Sequence, residues 1–332
     1  GQMVRSASFH RPSAGLGDSL RRKMLASFRK RHDQKPHYPA SFFTQVSVVH
    51  SRAFTTMLRQ RDFLVAQVLR NLVVGVLVAA VFWGQGDLSD GIFDPKTKQL
   101  TRGAYNVPTM IFLVNAYFAM GNLQCVSQLF ERKEVHGRER QAGLLSPGAL
   151  WLGTLTLNWP IIFVGHTIFI SIVYFSMGFP SDAETFGVCY VLLLAVNVVA
   201  FYCAQWLASI LPSAQVTLAV FPILFLLTVN FTGYTVRLPQ LGAGWRWAPP
   251  LSFTRWSFEG ALARLFGPLP GGEEYLKQYG FENFKPMNAL WILMLFAAGF
   301  NLLILLALRH PRPTLRELPA AAARAQLLAA LA

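Results

Sequence analysis

The feature that most constrains this chain is a set of apolar runs too long and too numerous for a soluble core. Six stretches, 63–83, 104–129, 150–177, 186–211, 214–234 and 288–308, contain no Asp or Glu and a single basic residue, Arg70. An α-helix needs roughly 20 apolar residues to cross a hydrocarbon core about 30 Å thick, and each run reaches that length. Soluble helices that are apolar all round are short and central, which excludes an ordinary globular reading. Only 14% of the residues are charged, against about a quarter in soluble domains. The runs predict an all-α, polytopic membrane protein with six transmembrane helices.

Charge is distributed as a membrane protein requires. The formal net charge is +14, and 12 of the 30 Lys and Arg residues precede Asp62. No aromatic-basic recognition pattern accompanies them, so the charge points to anionic lipid and orientation, not to nucleic acid. With the N-terminus cytosolic, the segments 1–62, 130–149, 212–213 and 309–332 hold 20 Lys and Arg against 7 acidic residues, whereas the opposite segments hold 9 of each. The positive-inside rule then places both termini in the cytosol. Residues 1–40 read as a basic flexible linker, 41–310 as the membrane domain and 311–332 as a cytosolic tail. A chain that begins with Gly1 is expected to be a fragment or a processed product.

Between the runs, three segments carry their own signals. In 41–60, Phe42, Val46, Val49, Ala53 and Met57 recur every three or four residues, the pattern of an amphipathic helix lying at the membrane interface. Residues 131–140 form a charged inner segment. The outer segment 236–286 is rich in Trp and Phe, and Ser252 is placed to cap a helix running to about Phe266, too short to span. Pro160 is expected to tilt or kink the third run. Cys125, Cys189 and Cys203 all fall inside apolar runs, and the seven His residues are dispersed, so neither a disulfide framework nor a metal site is expected.

Several strings carry a resemblance. They are RQRDFLVAQVLRNLVVGVLVAAVFWG (59–84), FERKEVHGRERQAGLLSP (130–147), NFTGYTVRLP (230–239) and WAPPLSFTRWSFEGALARLFG (247–267). In this order, over about residues 41–310, they resemble the ABC-2 type transmembrane domain of the G subfamily of ABC transporters. These are the white/brown-type half transporters known from sterol, lipid, pigment-precursor and drug exporters. The resemblance implies a re-entrant helical outer loop before the sixth span, and a dimer with a second transmembrane half. It also implies a lipophilic substrate bound between spans two and five of the two halves. Asn115, Phe118, Met120, Leu226, Val229 and Phe231 would then line the substrate cavity. Tyr234 and Thr235 stand where the family often carries a bulky apolar gate pair. Glu131, Arg132, Glu134, Arg138 and Glu139 would couple the domain to an ATPase.

No G-x-x-x-x-G-K-[ST] phosphate loop occurs in the sequence, so ATP and Mg would belong to a nucleotide-binding domain fused upstream or supplied separately. No catalytic, cofactor or metal site is expected in this chain. Two other classes stay open. A secondary transporter would want acidic residues at mid-membrane, which the six runs lack; a channel or scaffold has no positive feature in the sequence.

Overall fold

The structure, a computed structural model, describes residues 38–94, 96–281 and 285–309. The expected tail, and all but the end of the expected linker, lie outside the described residues, as do the side chains of Glu134 and Gln141. The described residues form eleven α-helices: α1 Phe42–Arg59, α2 Arg61–Val81, α3 Arg102–Gly121, α4 Val126–Gln141, α5 Pro147–Thr154, α6 Trp159–Ser176, α7 Ala183–Ile210, α8 Ala214–Asn230, α9 Phe253–Phe266, α10 Gly272–Tyr279 and α11 Pro286–Arg309. Six of them start behind a residue that accepts a backbone N–H of the first turn: Ser41, Thr101, Ser146, Asp182, Ser213 and Ser252. Such caps satisfy donors that have no partner inside the helix, and Ser252 is the cap that the sequence led us to expect.

Among the described residues, five helical stretches are long and apolar enough to cross a membrane: Arg61–Val81, Arg102–Arg140, Pro147–Ser176, Ala183–Ile210 and Pro286–Arg309. The fifth expected span, 214–234, corresponds to α8, apolar but shorter at 17 residues. It ends at Asn230 instead of Tyr234, because Gly233 turns the chain through a left-handed conformation (φ 93°) that favours glycine.

Two other expectations change. The second run does not stop at Leu129. After a short 3-10 stretch, Asn122–Cys125, the helix resumes as α4 and carries the charged segment with it. Asn122 pins that joint: its Nδ2 donates to Phe118 O (2.8 Å) and to Asn197 Oδ1 of α7 (3.0 Å). The third run is broken outright. α5 ends at Thr154, and α6 restarts with Pro160 in its first turn, the one part of a helix that tolerates a missing N–H.

The bundle is built on two extensive helix pairs, α2 with α6 and α7 with α11. α9 is wedged among α3, α7 and α11, with Phe258, Ala261, Leu262 and Phe266 fully buried. Gly260 makes the fit possible, since a Cβ there would stand 2.7 Å from Ala289 Cβ. α1 lies on α5. Its buried stripe is Gln45, Val49, Ala53 and Met57, so Gln45 takes the place expected for Phe42. The reason is polar: Gln45 Oε1 accepts Ser146 N–H (2.9 Å) while its Nε2 donates to Ala40 O (2.8 Å).

Candidate functional site

At the end of the bundle formed by α1, α4, α5 and the α7–α8 turn, charged side chains gather around α4. Arg52 of α1 contacts Glu139 at 2.7 Å, and His136 Nδ1 lies 3.3 Å from the other oxygen of the same carboxylate. The Arg52 guanidinium holds Glu139 below the usual carboxylate range. Burial pulls His136 down against the Glu139 hydrogen bond. Lys133 Nζ donates to Ala208 O and Leu211 O at 3.0 Å, fastening α4 to the end of α7. Of the expected coupling residues, Glu139 is thus engaged, Arg132 is half-buried, and Glu131 and Arg138 are exposed. The structure brings Glu139 together with Arg52 and His136, and leaves Glu131 and Arg138 exposed.

The expected cavity residues divide among three environments. Asn115 and Phe118 are buried within the protomer; Asn115 Nδ2 donates to Ile111 O (2.9 Å), and Phe118 packs on His166 and Phe169 of α6. Met120 is half-exposed, Val229 is at the edge of the core, and Leu226 is 61% exposed. Met120 and Val229, with the partly buried Phe112, Ala116 and Leu123, line an apolar seam where α3 meets α8, and α8 continues outward from it in the exposed Ile223 and Leu226. Phe231 turns elsewhere and stacks on Trp245 at 5.7 Å.

At the far end of that seam Tyr234 is half-buried, while Thr235 is exposed. The Tyr234 hydroxyl is 2.9 Å from Thr109 Oγ1 of α3, and its ring stacks on Phe112 at 4.5 Å and meets Phe258 of α9 edge-on at 6.0 Å. Beneath α9's surface, Glu259 lies nearly fully buried with Arg255 Nε 3.3 Å from its carboxylate. Burial pushes its pKa up to about 7 against the pull of Arg255.

Deeper in the bundle, Arg70 forms a helix-pair contact. Its Nη1 donates to Gly121 O (3.1 Å), and its guanidinium sits 5.5 Å from the Tyr117 ring centre. Tyr117 in turn donates to Asn71 Oδ1 (3.0 Å). A charge inside a span is costly unless it finds such partners.

The family model described as ABC-2 type transporter matches residues 44–266, two thirds of the chain and all of the seam, the Tyr234–Thr109 contact and the charged cluster. The chain belongs to the ABC-2 type transporter family. This ABC-2 type domain is 27% identical over 241 residues to ABC transporter G family member 11 of Dictyostelium discoideum, covering 71% of the chain and 16% of that relative. It is 29% identical over 217 residues to ABC transporter G family member 37 of Arabidopsis thaliana, covering 64% and 14%. Protein SNQ2 of Saccharomyces cerevisiae aligns at 20% over 233 residues, covering 70% and 15%. The matched region thus makes up about a seventh of each relative, and the similarity identifies a G-subfamily membrane domain.

Reasoning from sequence missed Thr109, Arg52 and His136 as members of these clusters in the ABC-2 type domain. Arg52 carried a weak signal, since it lies off the apolar stripe of α1. Thr109 carried none, because its partner is 125 residues away.

Proposed function

We propose that this chain is the membrane half of an ATP-driven exporter of lipophilic molecules, working as a dimer, with α8 as its fifth span and both termini cytosolic. The observation that carries the reading is the half-open apolar seam between α3 and α8, where Leu226 and Ile223 are each 61% exposed. Two copies facing each other across that seam would enclose an apolar path. Met120 and aromatic walls suit lipophilic molecules because they adapt without demanding hydrogen bonds. The α1, α4 and α5 end would face the cytosol and an ATP-binding domain, fused or separate, which would hold ATP and Mg. Force applied to Glu131, Arg138 and their neighbours on α4 would pass along the helix to α3 through the 3-10 joint at Asn122–Cys125. Short 3-10 stretches inside helices often serve as hinges. Substrate would leave past Tyr234 and Thr235.

The test is cysteine cross-linking in the full transporter, reconstituted in vesicles. Cys125, Cys189 and Cys203 are buried, so a Leu226→Cys variant has little background from this domain. It should form a self-cross-link that weakens when ATP and vanadate trap the transport cycle. Cross-linking at Leu295→Cys on α11 with none at Leu226→Cys would refute the arrangement.

A further inference from the structure

The opposite face of α8 borders a second space that the transport path does not use. It is a cavity of about 340 Å³ bounded by Trp206 of α7, Phe221, Leu224 and Phe225 of α8, Phe300 of α11, and the segment that follows α8. At 100° per residue these α8 positions lie across the helix from Ile223 and Leu226. The cavity starts at mid-depth, at Phe221 and Phe300, and reaches the outer rim at Phe231, Trp245 and Trp247. Its size falls within the range of small-molecule sites.

Its shape selects an occupant. From Phe221 to Phe231 the wall is about 15 Å long at 1.5 Å per residue. A wall of that length lined by aromatic and aliphatic side chains can take an extended hydrocarbon chain lying along it. The chemistry agrees, because the wall is mostly aromatic and aliphatic and three of its polar groups are already engaged. Ser252 Oγ donates to Thr228 O (2.6 Å), Thr228 Oγ1 to Phe225 O (2.8 Å) and Trp247 Nε1 to Gly244 O (2.8 Å). At the rim, Trp245 and Trp247 are 54% and 64% exposed and their rings lie 6.3 Å apart, with Arg246 between them in sequence. Trp side chains favour the headgroup level of a bilayer, and a cation beside them suits a phosphate.

We propose that this groove holds one acyl chain of an outer-leaflet phospholipid, its headgroup at the Trp245–Trp247 rim, as a bound lipid that is not transported. The orientation rests on the proposed topology, but occupancy does not depend on export and is read without it.

The test uses the full transporter in nanodiscs of phosphatidylcholine carrying a diazirine, either near the headgroup or at the chain tip, followed by peptide mapping. The head-proximal probe should label the 245–251 segment, and the tip probe should label Trp206, Phe221 or Phe300. Leu224→Trp, which fills the groove, should reduce both several-fold, whereas Leu226→Trp on the opposite face should leave them unchanged. The unsubstituted protein alone already decides the depth order if Leu224→Trp does not fold. Tip labelling confined to lipid-facing residues such as Met294 and Leu295, or labelling insensitive to Leu224→Trp in a folded variant, overturns the proposal. Loss of transport in Leu226→Trp with groove labelling intact would bear on the path and leave the lipid site standing.

Discussion

The Tyr234–Thr109 contact makes a quantitative test of the proposed outer gate. Tyr234→Phe removes one hydrogen bond of 2.9 Å but keeps the ring on Phe112 and Phe258. A partly buried hydrogen bond contributes about 0.5–1.5 kcal/mol net. If that bond holds the seam shut, its loss should raise the open fraction roughly two- to twelvefold, since about 1.4 kcal/mol is tenfold. The reporter is Leu226→Cys, below the latch in the seam, labelled without ATP by a membrane-impermeant maleimide added outside. Tyr234→Phe should speed labelling by that factor. Thr109→Val should do the same, and the double variant should do no more than either single one, because both remove one bond. Labelling rates that do not change would refute the latch. Additive effects would show that Tyr234 and Thr109 act separately and that the hydrogen bond is not what closes the path.

Two further variants probe the frame around the path. Glu139→Arg should lower thermal stability by up to about 1 kcal/mol, the scale of a partly exposed ion pair, and should uncouple ATP use from transport; adding Arg52→Glu should restore most of both. Because Arg52 depresses Glu139, the pair's contribution is complete above the ordinary Glu value of about 4.3 and is lost as pH falls through the lowered folded value. The difference between the wild type and Glu139→Gln should therefore persist to about pH 5, widening as His136 gains its proton beside Glu139, and shrink as pH falls through the lowered Glu139 value. Gly165→Ala should destabilise by about 1–3 kcal/mol through overpacking, since its Cβ would stand 2.6 Å from Asn71 Nδ2. Gly299→Ala, with nothing within 4 Å of the added carbon, is the control; equal unfolding temperatures for the two variants in detergent would contradict the packing argument.

Much of this fold is legible in the sequence because spanning a bilayer imposes a length and a polarity that few other tasks require. The ends of α2, α7 and α11 lie within about three residues of the runs that announced them. What the sequence hid depends on partners distant in the chain. Nothing local says that Gln45 should displace Phe42 from the buried stripe, because its partner is Ser146. The charged residues after Leu129 end the apolar run, yet they continue a helix, since Glu, Arg and Lys are good helix formers and only Val135, His136 and Gly137 interrupt them before Gln141. The candidate site was less legible than the fold. Asn115 and Phe118 share a helix with Met120 but face the interior, and hydropathy cannot tell an inward apolar side chain from one that faces a partner or lipid.

The packing also singles out the element able to move. α2 is held along its length by α6, and α7 by α11 and α9, whereas α8 touches α3, α4, α7 and α9 only lightly. It is also the shortest of the long apolar helices, and its outer end is set by Gly233 and the Tyr234 latch. A helix so loosely held shifts at less cost than one buried in a pair. Its two faces border different spaces, Ile223 and Leu226 toward the proposed path and Phe221 and Phe225 on the groove proposed to take an acyl chain. Any rotation that opens the seam must reshape the groove, so a lipid chain that fits one position of α8 better than another biases the path by that difference in affinity and no more.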